Sequence, residues 1–522
     1  MRDSGRVMKR LFGSILRVTW LNKMRRKNIL FLLALLPVGE VFGQLSGSNL
    51  LEYQLGNLPY KDPSDLSSHY DQLNLGYRYK GLKASIRYEH FLSQIEERSY
   101  TSLSQFQVQY RRDKLELKVG NFNKTLGNGL LFRGYEITGS VFEEEAYRTR
   151  YGFYRDLQGF SVKYSGDIWF FQAIRGKSLV NTLPPTVPNK DRRIDLVEAV
   201  ETGISAFYQT VGVILMRNSN PFEKDYFYSL LFSGSIPGII SYNFEYAHNL
   251  AEDMPVIAKD DMSRYGLYGS LSFNRGSFGL SLEFKDYHNL LIGTGISDPP
   301  TTVREQKYKV LNRSIHVPQL VDESGIQLEG YYTFKNRQHL VVNFSRSVNQ
   351  FFQDFIFNEV FAEYNFYPGK KNNVTLFADY TIDQFKSENT RYATGTVWEY
   401  SVLGSWSTQL HLEYQYLERE LLETNVMHNG VVILGVSKSP GLSISAIWEL
   451  SNDPFLNDRP DTPAVETSYR HWPGLEASYR INPTNTLSLF AGKRRGGPAC
   501  TSGVCYEVLD FEGVELRLKT KF

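Results

Sequence analysis

The chain has no long apolar segment beyond residue 43, only two cysteines among its 522 residues, and a net charge of only +2. A membrane-spanning helix needs about 20 consecutive apolar residues, so the sequence after residue 43 excludes a helical membrane protein. A near-neutral chain has no basic footprint for nucleic acid, and we predict no nucleic-acid partner.

Catalytic and cofactor motifs are also missing. The nine histidines include no H-E-x-x-H pair, and the chain has no Walker A motif, dinucleotide fingerprint or G-x-S-x-G elbow. The turn Gly127-Asn128-Gly129 lacks the lysine and the helix of a phosphate loop. His411 lies on the polar face of a predicted strand, where a hydrolase site is conceivable but an ordinary polar residue fits better. We predict no enzyme activity, no cofactor and no metal site.

What the chain has in abundance is period-two alternation of apolar and polar residues. Residues 104–111 and 409–416 alternate without a fault, as expected for strands with one apolar face. A soluble β-sandwich also alternates, but its strands average about 5–6 residues. Many runs here reach about eight to ten residues, close to the length that crosses a bilayer at a tilt. We predict an all-β fold, a large antiparallel transmembrane β-barrel.

Short turns and longer polar segments alternate along the chain, which is typical of a barrel with short turns at one end and long loops at the other. Eleven hairpins, a first strand near residues 50–55 and the last strand give about 24 strands, with a range of 20–26. Strand-like sequence begins within about ten residues of the predicted cut described below, which leaves no room for an N-terminal plug domain. The short turns are predicted near Lys80-Gly81, Arg112-Asp113, Gly166-Asp167, Thr210, Ser235-Pro237, Asn274-Gly276, Lys335-Asn336, Gly369-Lys371, Gly404-Ser405, Ser439-Gly441 and Asn482-Asn485.

The two ends of the chain carry export and assembly signals. A basic stretch at 24–27 and an apolar stretch at 29–38 predict a signal peptide over 24–43, which makes 1–23 an over-extended start and 44–522 the mature barrel. The last ten residues alternate apolar and charged side chains and end on Phe522. They resemble the closing strand of a bacterial outer-membrane barrel, in which Phe522 would be the assembly signal.

Segments 120–133, 151–157 and 495–505, together with Phe522, resemble a porin-like outer-membrane β-barrel family of Gram-negative bacteria. The resemblance implies an outer-membrane location and a barrel fold, and it transfers no substrate and no functional residue. The expected partners are outer-membrane lipid, the barrel-assembly machinery and other envelope proteins. Two functions stay open: porin-like passage of solutes, or a non-conducting platform for a secretion or surface-protein assembly.

The longest polar segments are 121–156, 176–201 and 289–324, and the first one concentrates charge of both signs. If it folds inward, opposed acidic and basic clusters could select solutes at a constriction. A solvated outer loop with surface ion pairs is the simpler alternative. The candidate constriction residues are Glu143, Glu144, Glu145, Arg148, Arg150 and Arg155.

Cys500 and Cys505 are the two cysteines of the chain. An exported protein can hold disulfides, and two cysteines alone do not fill a tetrahedral zinc site. We predict a structural disulfide in the last long loop, with two free thiols as the alternative.

Overall fold

The alternating segments form the strands of one closed sheet. The computed structural model describes residues 44–144, 148–185, 192–250, 264–350, 353–420, 424–453, 469–501 and 504–522. Residues Leu45–Phe522 belong to one compact unit. The predicted signal peptide and over-extended start lie outside the described residues and stay predictions.

The described residues contain 28 strands, one short α-helix and two 3₁₀ turns. The helix α1 is Lys309–Asn312, and the 3₁₀ turns are Glu96–Arg98 and Gln384–Lys386. The strands are β1 Gln44–Asn57, β2 Ser67–Tyr79, β3 Leu82–Ser93, β4 Tyr100–Arg112, β5 Leu115–Phe122, β6 Tyr135–Glu143, β7 Arg150–Arg155, β8 Leu157–Ser165, β9 Trp169–Ser178, β10 Leu196–Ala206, β11 Gln209–Ser219, β12 Lys224–Ile236, β13 Ile240–Asn249, β14 Tyr265–Arg275, β15 Phe278–His288, β16 Glu323–Thr333, β17 His339–Asn349, β18 Phe355–Phe366, β19 Asn372–Asp383, β20 Glu388–Ser401, β21 Trp406–Glu420, β22 Thr424–Lys438, β23 Leu442–Ser451, β24 Arg470–Asn482, β25 Asn485–Arg494, β26 Gly497–Thr501, β27 Val504–Val508 and β28 Phe511–Lys521.

Twenty-four of these strands form a closed antiparallel barrel, which confirms the predicted fold class and strand number. Each barrel strand pairs with the next barrel strand along the chain, and the first strand pairs with the last, from Ser48↔Lys521 to Asn57↔Glu512. The backbone of Phe522 extends this seam, because its N–H donates to the Gly47 carbonyl at 3.0 Å and its carbonyl accepts from Gly47 at 2.7 Å. Closure leaves no unpaired sheet edge. Strands β6–β7 and β26–β27 are separate hairpins outside the barrel sheet.

The eleven short turns lie at one end of the barrel, here called the turn end, and the long connections lie at the other, the loop end. Ten of the eleven predicted turns coincide with or adjoin the gaps between strands. The turn predicted at Thr210 is formed instead by Phe207 and Tyr208, because β10 ends at Ala206 and β11 begins at Gln209. Both residues have positive φ, a conformation that a two-residue hairpin turn of type I′ requires and that these residue types do not reveal in the sequence.

The outer face of the barrel is apolar and the inner face is polar. On β21, Leu412 and Tyr414 point outward and are exposed, whereas Glu413 and Gln415 point inward and are buried. Trp406 and Tyr416 stand on the outer face near opposite ends of this strand. They are about 33 Å apart along the strand, or about 25 Å once it tilts by roughly 40°, which is the height of a lipid-facing band between two aromatic girdles.

Candidate functional site: the loop-filled lumen

Four connections at the loop end fold into the barrel lumen. They are loop A (123–156, described at 123–144 and 148–156), loop B (179–195, described at 179–185 and 192–195), loop C (289–322) and loop D (495–510, described at 495–501 and 504–510). Loops A, B and C fall where the sequence predicts its three longest connections, and loop D carries the two cysteines. Each loop contacts inward-facing residues of the barrel strands. In loop B, Asp195 accepts a hydrogen bond from Asn218 on β11 at 2.9 Å, and in loop D, Arg495 donates to Asn429 on β22 at 3.2 Å.

The β6–β7 hairpin of loop A packs against the seam where β1 meets β28. Arg150 on β7 forms an ion pair with Glu52 on β1 at 2.6 Å and approaches Glu515 on β28 at 3.9 Å. The hydroxyl of Tyr100 donates to the Arg150 carbonyl at 2.8 Å, and the backbone N–H of Gly152 donates to Glu89 at 3.2 Å. These contacts hold the hairpin inside the barrel rather than in solvent.

The structure brings three of the predicted constriction residues together. Arg148 pairs with Glu143, and the Arg150 Nε lies 3.7 Å from Glu143. Both arginines are buried, with 7% and 5% of their surfaces exposed. Their charges are therefore matched within the protein, and whether they select solutes at a constriction stays a prediction.

Of the other predicted constriction residues, Arg155 lies apart from this cluster, whereas Glu144 adjoins it, because the Glu144 carbonyl accepts the Arg148 N–H at 2.7 Å. Arg155 donates to the Ile296 carbonyl of loop C at 3.0 Å and stacks over the Tyr135 ring at 5.4 Å. The backbone N–H of Glu144 donates to Thr149 at 3.1 Å. Glu145 lies outside the described residues.

Loop C crosses the lumen and is held by carboxylates of the barrel wall. Glu413 on β21 accepts the backbone N–H groups of Lys309 at 3.1 Å and Val310 at 2.8 Å. Glu449 on β23 pairs with the Lys309 ammonium at 2.8 Å and with Arg313 at 3.0 Å. Two inward carboxylates thus fix the first turn of α1 and the basic side chains that flank it.

Beside α1, an aromatic ring anchors loop C to the next part of the wall. The Tyr308 ring stacks on Phe377 of β19 with ring centroids 3.7 Å apart, and its hydroxyl donates to Glu363 at 2.6 Å. His411, weighed above as a catalytic candidate, also points inward, with its Nε2 2.7 Å from Glu413 and its ring 6.1 Å from Tyr308. It therefore belongs to the lumen wall.

His316 fixes the end of loop C between two acidic side chains. Its Nδ1 lies 3.0 Å from Asp383 and its Nε2 lies 3.6 Å from Glu323. Burial alone lowers the pKa of His316, but the neighbouring carboxylates outweigh burial and raise the pKa above its usual value. His316 is therefore biased toward its charged form, which strengthens its contact with the wall.

Loop D contains the disulfide that the sequence predicts, and the structure confirms the Cys500–Cys505 bond. The two cysteines face each other across the β26–β27 hairpin. This hairpin touches both large loops. The Cys500 N–H donates to the side-chain oxygen of Asn312 in loop C at 3.1 Å, and the Tyr506 ring packs edge-on against Phe153 of loop A with ring centroids 4.8 Å apart. Loop D links loops A and C.

Part of the lumen is an apolar core, which alternation and loop length do not predict. Loop A and loop C both bury aliphatic side chains against inward-facing apolar residues of β10–β15. The sequence signals were the dense apolar stretch at 126–132 and the aliphatic side chains at 290–296. The cluster includes Leu126, Leu130, Leu131, Phe132, Leu290, Ile292, Ile296, Ile214, Met216 and Phe227.

Nearer the turn end, the lumen contains polar cavities. A cavity of about 530 Å³ is lined by the turn before β19 and by residues of β19–β23 that include Asn373, Glu399 and Gln409. A second cavity, of about 480 Å³, is bounded by β1–β5 and by Glu136 of β6. Inward residues toward the loop end, such as Glu413 and Gln415, are buried instead. The loops therefore fill the loop-end half of the barrel over a more open, polar half.

Among the described residues, no helix has the length and apolar character needed to cross a membrane. No cluster of three or more histidine, cysteine, aspartate or glutamate side chains in the described ranges could hold a metal ion.

The sequence matches no protein-family model and no curated protein. Among solved structures, the chain resembles the OccK3 (OpdO) protein of Pseudomonas aeruginosa at a TM-score of 0.40 and 12% identity, covering 72% of this chain and 96% of that one. It resembles the P pilus usher PapC translocation pore at a TM-score of 0.42 and 9% identity, covering 92% and 99%. A BenF-like porin from Pseudomonas fluorescens Pf-5 gives a TM-score of 0.39 and 9% identity, covering 72% and 98%.

Proposed function

We propose that the chain is a bacterial outer-membrane barrel that lets small polar solutes pass through its lumen when the inward loops shift. A closed barrel with an apolar outer face and aromatic side chains near both ends suits a lipid bilayer, because closure satisfies every strand hydrogen bond without water. The partners expected from this location are outer-membrane lipid and the barrel-assembly machinery. No reaction is part of the proposal.

The observation that carries the passage proposal is the polar lumen at the turn end. Its two large cavities are lined mainly by amide, hydroxyl and charged side chains, among them Asn74, Gln107 and Ser437. Such a lining lets water and polar solutes enter the barrel from that end. The loops at the other end are held to the wall by side-chain ion pairs, hydrogen bonds and a buried apolar core. These contacts are separate from the backbone hydrogen bonds between the strands, so displacement of the loops leaves the strand ladder unchanged.

One observation favours the second candidate, a non-conducting platform for other envelope proteins. Loops A, C and D contact one another inside the lumen through Arg155, Asn312 and Tyr506, and loops A and C share a buried apolar core. A plug of this kind closes part of the barrel with the chain's own residues, and its outer surface is available to a partner.

Swelling of liposomes that contain the purified barrel distinguishes the two functions. Passage predicts swelling in small sugars and amino acids, faster when loop C is shortened by replacing residues 300–318 with a glycine–serine linker. An outer-membrane barrel of similar diameter with an open lumen serves as the positive control. If neither the native chain nor the shortened variant admits any solute, the passage proposal fails and the platform remains.

The charged hairpin of loop A supplies a finer proposal, that it forms the constriction of the passage. Replacing Arg148, Arg150 and Arg155 by alanine removes three positive charges from a narrow, poorly screened space. Ion selectivity should then shift toward cations. Equal reversal potentials across a salt gradient for native and variant barrels would remove the constriction from the proposal.

A further inference from the structure

Beneath the neck of loop A lies a third cavity, of about 370 Å³, which shares Phe122 and Asn123 with the cavity beside β1–β5. Its wall is formed by inward-facing residues of β5, β8 and β9, and its roof by loop A where the loop leaves β5 and returns at Gly134. The neck is narrow because Thr125 and Arg133 form a β-bridge and Gly134 N–H donates to the Lys124 carbonyl at 2.7 Å. The neck of loop A thus covers one side of the cavity, and the other side is open to the lumen.

Three lysines line this pocket, one from each of two strands and one from the roof. Lys118 is on β5, Lys163 is on β8 and Lys124 is in loop A. Burial lowers the pKa of Lys124, Glu201 opposes that shift, and the charges of Lys163 and Lys118 add to it. The three ammonium groups therefore act on one another as like charges in a partly desolvated space.

Only part of this positive charge is matched by protein groups. Glu116 is the carboxylate among the lining residues, and it is already engaged by Lys118 at 3.0 Å and by Gln109 at 2.9 Å. Glu201 faces Gln172 across the β9–β10 ladder. Within the described part of the chain, Lys124 and Lys163 form no ion pair closer than 4 Å.

A buried amide in the same pocket also lacks a partner. Gln172 on β9 is 4% exposed, and its Nε2 has no hydrogen-bond acceptor among the described residues. A buried donor without an acceptor is unfavourable, because it has lost its hydrogen bonds to water and gained none in the protein. Gln172 pairs directly with Lys163 across the β8–β9 ladder, so this donor and the lysine ammonium belong to neighbouring positions on one wall.

We propose that this pocket binds an oxyanion, the phosphate or carboxylate group of a small solute, held by Lys124, Lys163 and Gln172. An oxyanion would neutralise the two lysines and accept the amide hydrogen bond, and charge-assisted hydrogen bonds of this type are short and strong. Binding itself needs no passage. The further statement that the oxyanion belongs to a transported solute rests on the proposed function.

Titration calorimetry of the full-length barrel in neutral detergent, with inorganic phosphate at low ionic strength, tests the pocket. Lys163→Gln and Lys124→Gln should each weaken phosphate binding by about tenfold. Gln172→Leu should weaken it by about threefold, since the lost hydrogen bond has an uncharged donor. Lys124→Gln changes a loop residue, so it keeps the test valid if a strand variant fails to fold.

Lys83→Gln is the matched control, because Lys83 lies in the lumen and lines the larger cavity beside β1–β5. Binding that Lys83→Gln weakens as much as Lys163→Gln would reflect general lumen charge and overturn the pocket. Absence of phosphate binding in the native barrel would overturn it too. The liposome assay separates the two proposals: swelling without phosphate binding removes only the pocket, and phosphate binding without swelling removes only passage.

Discussion

Replacing Arg150 by glutamine should release the β6–β7 hairpin from the seam of the barrel. Arg150 is buried beside a fully buried Glu52, 2.6 Å away. Breaking a buried ion pair from one side typically destabilises by about 3–5 kcal/mol. We expect the lower end, about 3 kcal/mol, because Arg517 still pairs with Glu52 and Arg494 with Glu515 and both acids keep a positive neighbour.

A loss of about 3 kcal/mol changes the ratio of docked to undocked hairpin by roughly a hundredfold. Amide hydrogen exchange measured by mass spectrometry reports this ratio, with the barrel strands of the same molecule as the internal reference. Peptides that cover β6 and β7 should exchange roughly a hundredfold faster in Arg150→Gln, while peptides of β21 and β22 keep their native rates.

Arg112→Gln is the control for a change of arginine to glutamine as such. Arg112 sits at a turn, its side chain is 76% exposed, and its partner Asp113 is 3.8 Å away. Exposed pairs of this kind contribute about 0–1 kcal/mol, so its exchange should match the native pattern. Native exchange of the hairpin in Arg150→Gln would refute the argument that this buried ion pair docks it.

Three other predictions concern the disulfide, the closing strand and the charged histidine. The non-reduced chain should weigh about two mass units less than the dithiol form, and alkylation of both Cys500 and Cys505 without reductant would rule the bond out. Deleting Phe522 should lower the yield of heat-modifiable folded barrel, because its backbone extends the β1–β28 seam; an unchanged yield argues against an assembly role. The raised pKa of His316 stabilises loop C fully below about pH 6.5, the unfolded value, and this contribution is lost as pH rises through the folded pKa. In the native chain, the rate of amide hydrogen exchange in loop C should therefore rise with pH more steeply than the intrinsic rate of exchange, and in His316→Gln it should not. Equal pH profiles for the two proteins would contradict a role for the charge of His316.

The barrel could be predicted from the sequence because its determinants are local. Alternation at 409–416 specifies which side chains of β21 face inward, and a turn such as Lys80-Gly81 fixes the register of the strands on either side. Counting such turns was enough for the strand number. The sequence places the turn at Thr210 and misses Phe207 and Tyr208, because neither of these two positions is a glycine or an asparagine, the residues that mark such turns.

The filling of the lumen could not be predicted because its contacts join residues far apart in the chain. Arg150 meets Glu52, and Lys309 meets Glu449, across about 100 and 140 positions, and no local pattern records such pairs. The polar composition of segments 121–156 and 289–324 favoured solvated loops. Their aliphatic residues, such as Leu130 and Ile292, are the signal that these loops bury a face, and they form the apolar core.

The predicted constriction residues also depend on contacts that the sequence does not record. The charge density of segment 121–156 makes Glu143, Arg148 and Arg150 candidates for a constriction, and these three residues lie together in the structure. Arg155 has the same charge but contacts loop C through the Ile296 carbonyl. The charge pattern along the chain does not reveal which arginine faces a carboxylate and which faces a backbone oxygen, because that depends on the path of the loop.

Single-channel recording in planar bilayers tests the central claim most directly. Purified native barrel should give discrete conductance steps, and replacing residues 300–318 with a glycine–serine linker should increase their size, because loop C then no longer crosses the lumen. Steps that are absent from both proteins, with folding verified by heat-modifiable migration, would contradict passage through the lumen.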